Sequence, residues 1–144
     1  MQYPTISEYV KASQDASDNL DMSTEVTYVE LNEAITDEFG VKYSKDGRKL
    51  LKVPYELNGT YSIRKGTKII CDESFCHCES LECIVIPDGL TSIGEKAFMY
   101  CRSLSSVVIP YSVTSIGDCA FYECNFPNDL KQKLISRFGE KIFG

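Results

Sequence analysis

The sequence predicts an α+β repeat solenoid, a stack of short parallel strands with a helical segment closing each end. Three observations carry this. At an offset of 23 residues, IVIPDGLTSIGEKAFMYC (84–101) recurs as VVIPYSVTSIGDCAFYEC (107–124), keeping V-I-P, T-S-I-G, A-F and the closing Cys. Each copy opens on alternating apolar residues that stop at a proline, the mark of a short half-buried strand. Residues 1–60 and 127–144 lack the repeat and carry helix and hairpin signals, as the ends of a solenoid require.

Taken in chain order, Thr5-x-x-Glu8 is a capping box that opens a helix over 6–16, with Ile6, Tyr9 and Val10 on one face. TEVTYVEL at 24–31 reads as a strand. At 41–53 two strands flank Ser44-Lys45-Asp46-Gly47, whose Asp-Gly pair is a hairpin turn. Asn58-Gly59 marks a further turn; with Thr60 it also spells a glycosylation sequon, and the turn is the reading adopted.

The repeat follows. Shifting 84–101 back by 23 residues gives YSIRKGTKIICDESFCHC (61–78), which keeps Ile63, Gly66, Ile70, Phe75 and Cys78. One strand per copy is expected, near 61–63, 84–86 and 107–109, each parallel to the next at about 4.8 Å. Stacked copies then place equivalent side chains in ladders: Ile63/Ile86/Ile109, Ile70/Ile93/Ile116, Phe75/Phe98/Phe121 and Cys78/Cys101/Cys124. Gly94 and Gly117 mark a bend, and Ser74, Ala97 and Ala120 supply the small residue that a short helical turn needs before each phenylalanine. Beyond the repeat, Asn128 is placed to cap a helix over 129–138, with Leu130, Leu134 and Phe138 in one stripe and Gly139 as its stop.

A 23-residue period with Leu81-x-x-Ile84-x-Ile86, recurring as Leu104-x-x-Val107-x-Ile109, lies in the leucine-rich-repeat range. The string T-S-I-G-x-x-A-F-x-x-C-x-x-L, followed by x-x-I-x-I-P, resembles the BspA-like leucine-rich-repeat family of bacteria, over residues 41–126. The first copy departs from it, with Arg64 for Pro and Cys71 for Gly. The resemblance implies a leucine-rich-repeat-like right-handed stack, with residues 1–60 as the N-terminal cap, 61–126 as repeats and 127–144 as the C-terminal capping helix, all in one structural domain. It also implies protein binding, and adhesion in surface-exposed members.

The 144 residues carry a net charge of −6, unevenly spread: −8 over residues 1–40 and +3 over 41–60. No broad basic face of the kind that binds nucleic acid is expected. The run Lys42, Lys45, Arg48, Lys49 and Lys52 is read as a solvated hairpin. No apolar run reaches the length of a membrane span. With no secretory signal the chain as written is expected to be cytoplasmic, and at the cell surface if it is a trimmed fragment.

Seven cysteines without a signal read as thiols. His77 lies between Cys76 and Cys78, with Cys71 and Cys83 near in sequence. Adjacent side chains diverge, however, and the paired spacing of zinc ligands is absent. No metal, cofactor or catalytic residue is assigned. The expected function is a non-enzymatic protein-interaction module whose binding face is the outward side of the strands: Ser62, Arg64, Cys83, Val85, Ser106 and Val108. The same residues are what any half-exposed sheet leaves outside. A strand face this narrow suggests a weak binder, a homo-oligomer or part of something larger. Two alternatives stand beside it: a regulatory or scaffolding domain that touches its protein partner through the acidic segment 1–40, and a cysteine enzyme or metal protein.

Overall fold

The computed structural model describes residues 21–144, so the helix expected over 6–16 lies outside the described residues. The described chain begins with a stretch outside helix and strand, followed by a short helix, α1 (Tyr28–Asn32). Thr27 and Glu30 form a reciprocal capping box there, the Thr27 hydroxyl accepting from Glu30 N at 3.1 Å and the Glu30 carboxylate from Thr27 N at 3.0 Å. This corrects the strand expected over 24–31. The alternation in TEVTYVEL is genuine, but Thr27-x-x-Glu30 satisfies two N–H groups that a strand would have had to pair elsewhere.

Strands β1 (Ile35–Thr36), β2 (Lys42–Tyr43) and β3 (Lys49–Lys52) pair antiparallel, with Gly47 at φ 76° in the turn between the last two. Beyond them the chain winds into coils. Each coil has two strands, where the sequence suggested one. The first set, β4 (Gly59–Ser62), β6 (Leu81–Val85) and β8 (Ser106–Val107), forms a parallel three-stranded sheet. The second set, β5 (Ile69–Ile70), β7 (Ser92–Ile93) and β9 (Ser115–Ile116), continues the hairpin sheet in the order β1-β2-β3-β5-β7-β9. The T-S-I-G motif is therefore a strand. At two residues it is too short to show an alternation, so only its recurrence betrayed it.

The close approach of the coils explains the glycines. A side-chain carbon at Gly94 would sit 2.5 Å from Asp72 N, and one at Gly117 2.5 Å from Glu95 N. Cys71 holds the equivalent place in the first coil. Its side chain is wholly buried with Leu51 and Ile69 under Val26, Leu31 and Ala34 of the leading segment. Glycine is dispensable there because the preceding layer is the hairpin rather than another coil.

After the glycine comes a wall of turns, where a short helical turn was expected. Glu73, His77, Lys96, Tyr100, Cys119 and Glu123 all have φ near +60°. Successive N–H groups alternate in use. Those of Ser74, Cys76 and Cys78 bond three residues back, while those of Glu73, Phe75 and His77 donate to Glu95 O, Ala97 O and Met99 O of the next coil at 2.8–3.0 Å. A helix would claim all of these N–H groups for itself. Half of them serve the stack, and the left-handed residues turn the chain to allow it.

Between the sheets lies the core. Ile84, Ile93 and Val107 are buried while Val85 is 48% and Val108 79% exposed, the inside–outside alternation read from sequence. Phe75, Phe98 and Phe121 are fully buried and stack with centroids 4.6 and 5.4 Å apart. The periodic cysteines lie beside them as hydrogen-bond donors as well as small apolar groups. Cys101 Sγ donates to Phe75 O at 3.0 Å and Cys124 Sγ to Phe98 O at 3.2 Å, each bridging to the coil before.

Helix α2 (Asn128–Phe138) follows the last coil and a 3₁₀ turn, Glu140–Phe143, ends the chain. Asn128 does not cap α2: Pro127 holds the N-cap position and makes no side-chain bond, its fixed φ of −59° suiting the approach. Leu134 is buried, with Leu130 and Phe138 partly buried against the core, and Gly139 ends the helix at φ 89°. The final turn completes the wall, since Lys141 O accepts from Cys119 N and Ile142 O from Phe121 N at 2.7–2.8 Å.

Candidate functional site

The three-stranded parallel sheet brings most of the expected face together. Its register sets Ser62 against Val85 and Cys83 against Ser106, and Val108 continues the row after Val107 has paired with Ile84. Ser62, Val85, Ser106 and Val108 are exposed and Cys83 is half-buried. An extra residue in β6, Glu82, falls between the pairs Gly59–Leu81 and Thr60–Cys83 and lets Leu81 and Ile84 both point inward, which leaves Glu82 and Cys83 outside between them. Arg64 stands apart. It lies beyond the end of β4, its N–H donates to Tyr43 Oη at 3.2 Å, and its guanidinium lies 5.3 Å from the centre of the Tyr43 ring. It belongs to the seam between the hairpin and the first coil.

Two members of this face were not singled out from sequence. Thr60 is exposed and stands opposite Cys83. Tyr111 is 96% exposed just past Pro110, with the Arg137 guanidinium 5.3 Å over its ring. Arg137 also donates to Ile109 O, Pro110 O and Val113 O at 2.9–3.1 Å. The signal for Tyr111 was available: it is a large aromatic at the turn position that Lys65 and Asp88 occupy in the other copies.

The seam beneath Arg64 is a polar chain in an apolar setting. Tyr43 Oη and Tyr61 Oη are hydrogen-bonded, and Tyr61 donates to Asp37 Oδ2 at 2.6 Å. Asp37 Oδ1 meanwhile accepts from Phe39 N and Val41 N at 2.8 and 2.9 Å. Burial raises the Tyr61 hydroxyl pKa, and the bond to Asp37 raises it further. The group holds the hairpin to the first coil.

The basic run is not simply solvated. Lys49 is 2% exposed, and its ammonium sits 3.0 Å from both Asp21 and Glu30. Burial alone would pull its pKa down, but the two carboxylates outweigh that and hold it up. Arg48 pairs with Asp46 at 3.3 Å and Lys45 with Glu33 at 3.9 Å. Several carboxylates of the described part of the acidic segment are thus engaged within the molecule.

All seven cysteines are free thiols. Burial pushes the Cys71, Cys78 and Cys124 thiols up to about 12, and Cys101 higher still. Such thiols are poor nucleophiles. His77 is exposed and stacks on Tyr100 with centroids 4.8 Å apart. Among the described residues no three His, Cys, Asp or Glu side chains converge to hold a metal ion. No described helix is long and apolar enough to cross a membrane.

Known proteins resemble the chain in the same terms. No curated protein matches it. The crystal structure of the pneumococcal vaccine antigen PcpA is 33% identical, with a TM-score of 0.60, over 63% of this chain and 23% of that one. A leucine-rich repeat protein from Eubacterium ventriosum is 25% identical, with a TM-score of 0.59, over 65% of this chain and 27% of that one. The chain therefore spans about a quarter of the length of these two structures. Residues 62–144 match the family model described as BspA type leucine rich repeat region (6 copies). With more than half its residues in that match, the chain belongs to the BspA-type leucine-rich repeat family.

Proposed function

We propose that the chain is a non-enzymatic protein-interaction module that docks its partner on the outward face of the β4-β6-β8 sheet, through Ser62, Cys83, Val85, Ser106 and Val108, with Arg64 at the rim. The observation that carries this reading is the row of exposed apolar groups on a rigid support. Val85 is 48%, Val108 79% and Tyr111 96% exposed, while the alternate residues Ile84 and Val107 are locked in the core. Exposed β-branched and aromatic side chains in one row lose little entropy on contact, and aromatic residues are favoured at interfaces. Family membership supports the same class of function, since solenoids present extended surfaces and need no reactive group. Three strands span only about 10–15 Å. A single face of this width makes a small contact, below that of a stable interface.

The test is the double variant Val85→Asp/Val108→Asp, compared with the parent chain in cross-linked capture of partners from the source cell. Both positions point to solvent, so thermal unfolding should change little. Captured partners should fall away in the variant. Equal recovery of the same partners from both chains would refute the assignment of this face.

A further inference from the structure

The wall of turns is a backbone ladder whose near edge, at the first coil, is only partly paired among the described residues. Carbonyls of Glu95, Ala97 and Met99 accept from the first coil, and those of Asp118, Ala120 and Tyr122 accept from the second. The equivalent carbonyls of the first coil are Asp72, Ser74 and Cys76. Ser74 O receives Val53 N at 3.0 Å, but Asp72 O and Cys76 O receive no N–H among the described residues. The Ser74 side chain is a second irregularity. It stands where later coils have Ala97 and Ala120, is 3% exposed, and its hydroxyl has no hydrogen-bond partner among the described residues. A buried unpaired hydroxyl costs stability that alanine would have spared.

Asp72, Ser74 and Cys76 are among the residues that line one cleft of about 350 Å³ between α1, the end of β3 and the first coil. Val26, Leu31 and Leu51 supply its apolar part, with Lys52, Asp72 and Glu73 around it. The volume suits one large side chain and a few backbone atoms, at the lower end of ligand pockets.

We propose that this cleft binds a short extended peptide segment of a partner protein. The segment sets an apolar side chain against Val26 and Leu31, donates backbone N–H groups to the Asp72 and Cys76 carbonyls, which receive none among the described residues, and gives Ser74 Oγ a partner. What the edge lacks is what another coil would bring, namely alternate N–H donors on an extended backbone, as in strand addition to a sheet edge. The Asp72 and Glu73 carboxylates oppose a phosphate or other anion. A second copy stacking head to tail does not fit, because the wall N–H groups of Cys119 and Phe121 at its far end already bond to Lys141 O and Ile142 O. This proposal rests on the reading of the chain as a protein-interaction module but not on the outward sheet face.

The test uses the full chain and a displayed library of random linear dodecapeptides, with selected peptides synthesised and their affinities measured. Ser74→Ala, which installs the residue the later coils carry, should weaken them about three- to tenfold, the loss of one hydrogen bond. Cys76→Arg, from a half-buried position in the cleft wall, should abolish binding, while Val85→Asp/Val108→Asp should leave it unchanged. Amide exchange on the bound peptide should show protected backbone N–H groups. Failure to select peptides, or affinities indifferent to both Ser74→Ala and Cys76→Arg, overturns the proposal. Peptides lost only with Val85→Asp/Val108→Asp also overturn it, while leaving the outward face standing as the binding site. Self-association in sedimentation that Cys76→Arg removes would make a second copy the occupant and likewise overturn it.

Discussion

Replacing Gly94 by Ala sets two effects of opposite sign against each other. Gly94 is not in the left-handed region, so alanine fits its backbone and should gain about 0.4–1 kcal/mol by restricting the unfolded chain. Against that stands the neighbouring coil. The added methyl would lie 2.5 Å from Asp72 N and Asp72 Oδ1 and 2.8 Å from Asp72 Cα. Nonbonded carbon atoms settle near 3.5–4.0 Å, so the coils must part locally by about 1 Å. Main chain cannot swing aside as a flexible side-chain end can. The separation also falls on bonds that cross at this point: Gly94 N to Ile70 O at 2.7 Å, Glu95 N to Asp72 Oδ1 at 2.8 Å and Glu73 N to Glu95 O at 3.0 Å. Overpacking costs about 1–3 kcal/mol, and each loosened hydrogen bond adds about 0.5–1.5 kcal/mol. With the entropy gain subtracted, a net loss of about 2–4 kcal/mol is expected.

Urea unfolding followed by circular dichroism measures this directly, with the midpoint falling at unchanged slope. A chain of this size should lose roughly 5–15 °C in melting temperature. Cys71→Gly is the natural partner experiment, because the first coil has room at that place and fills it. Removing the buried Cys71 side chain should also destabilise, so the two equivalent positions should prefer opposite residues. A Gly94→Ala protein as stable as the parent, or more so, would mean the coils are not held at this spacing and would refute the account of the stack.

Two further outcomes test the interior. Phe98 is buried between Phe75 and Phe121, so Phe98→Ala should cost about 3–5 kcal/mol in the same assay; a loss below about 1 kcal/mol would remove the ring from the core. Cys101→Ala should cost about 1–2 kcal/mol through lost packing and the lost thiol bond to Phe75 O, and native labelling by a thiol reagent should reach half-buried Cys76 and Cys83 well before Cys101. Equal labelling of Cys101 would place the cysteine ladder on the surface.

How far the sequence specified this molecule depends on the kind of interaction that fixes each part. The ladders of Ile, Phe and Cys were legible because equivalent residues of a stacked repeat must share an environment, so identity at fixed spacing reports burial. Inside and outside along β6 and β8 were legible for the same reason, with Ile84 and Val107 buried and Val85 and Val108 exposed. The second strand of each coil was not, since Ser92–Ile93 is too short to express a period of two. The turn wall was missed for a deeper reason. Its geometry depends on which N–H groups leave the coil, and A-F-x-x-C in sequence reads equally as a turn of helix. Non-glycine residues with positive φ, such as Lys96 and Tyr100, carry no composition signal at all. The candidate face was legible in its strand members, whereas Tyr111 and Thr60 joined it through a turn and a register shift that no alternation announces.

The two ends of the stack show why terminal segments resist a reading by repeat. A terminal segment must present the next coil's hydrogen-bonding complement without its sequence, because backbone groups do the pairing and any residue can supply them. At the far end Glu140–Phe143 shares no motif with the coils, yet Lys141 O and Ile142 O stand where the carbonyls of a further coil would be, and Ile142 is fully buried behind them. The near end is matched less completely. There the hairpin supplies one N–H, from Val53, to a wall that offers three carbonyls, and Ser74 breaks the alanine pattern in the same place. A surface selected only for stability would favour alanine at residue 74 and a fuller complement from the hairpin. Among the described residues the far end pairs two of its three wall N–H groups, those of Cys119 and Phe121 but not that of Glu123, and the near end one of its three wall carbonyls, so the ends differ in how far a cover of unrelated sequence reproduces a coil.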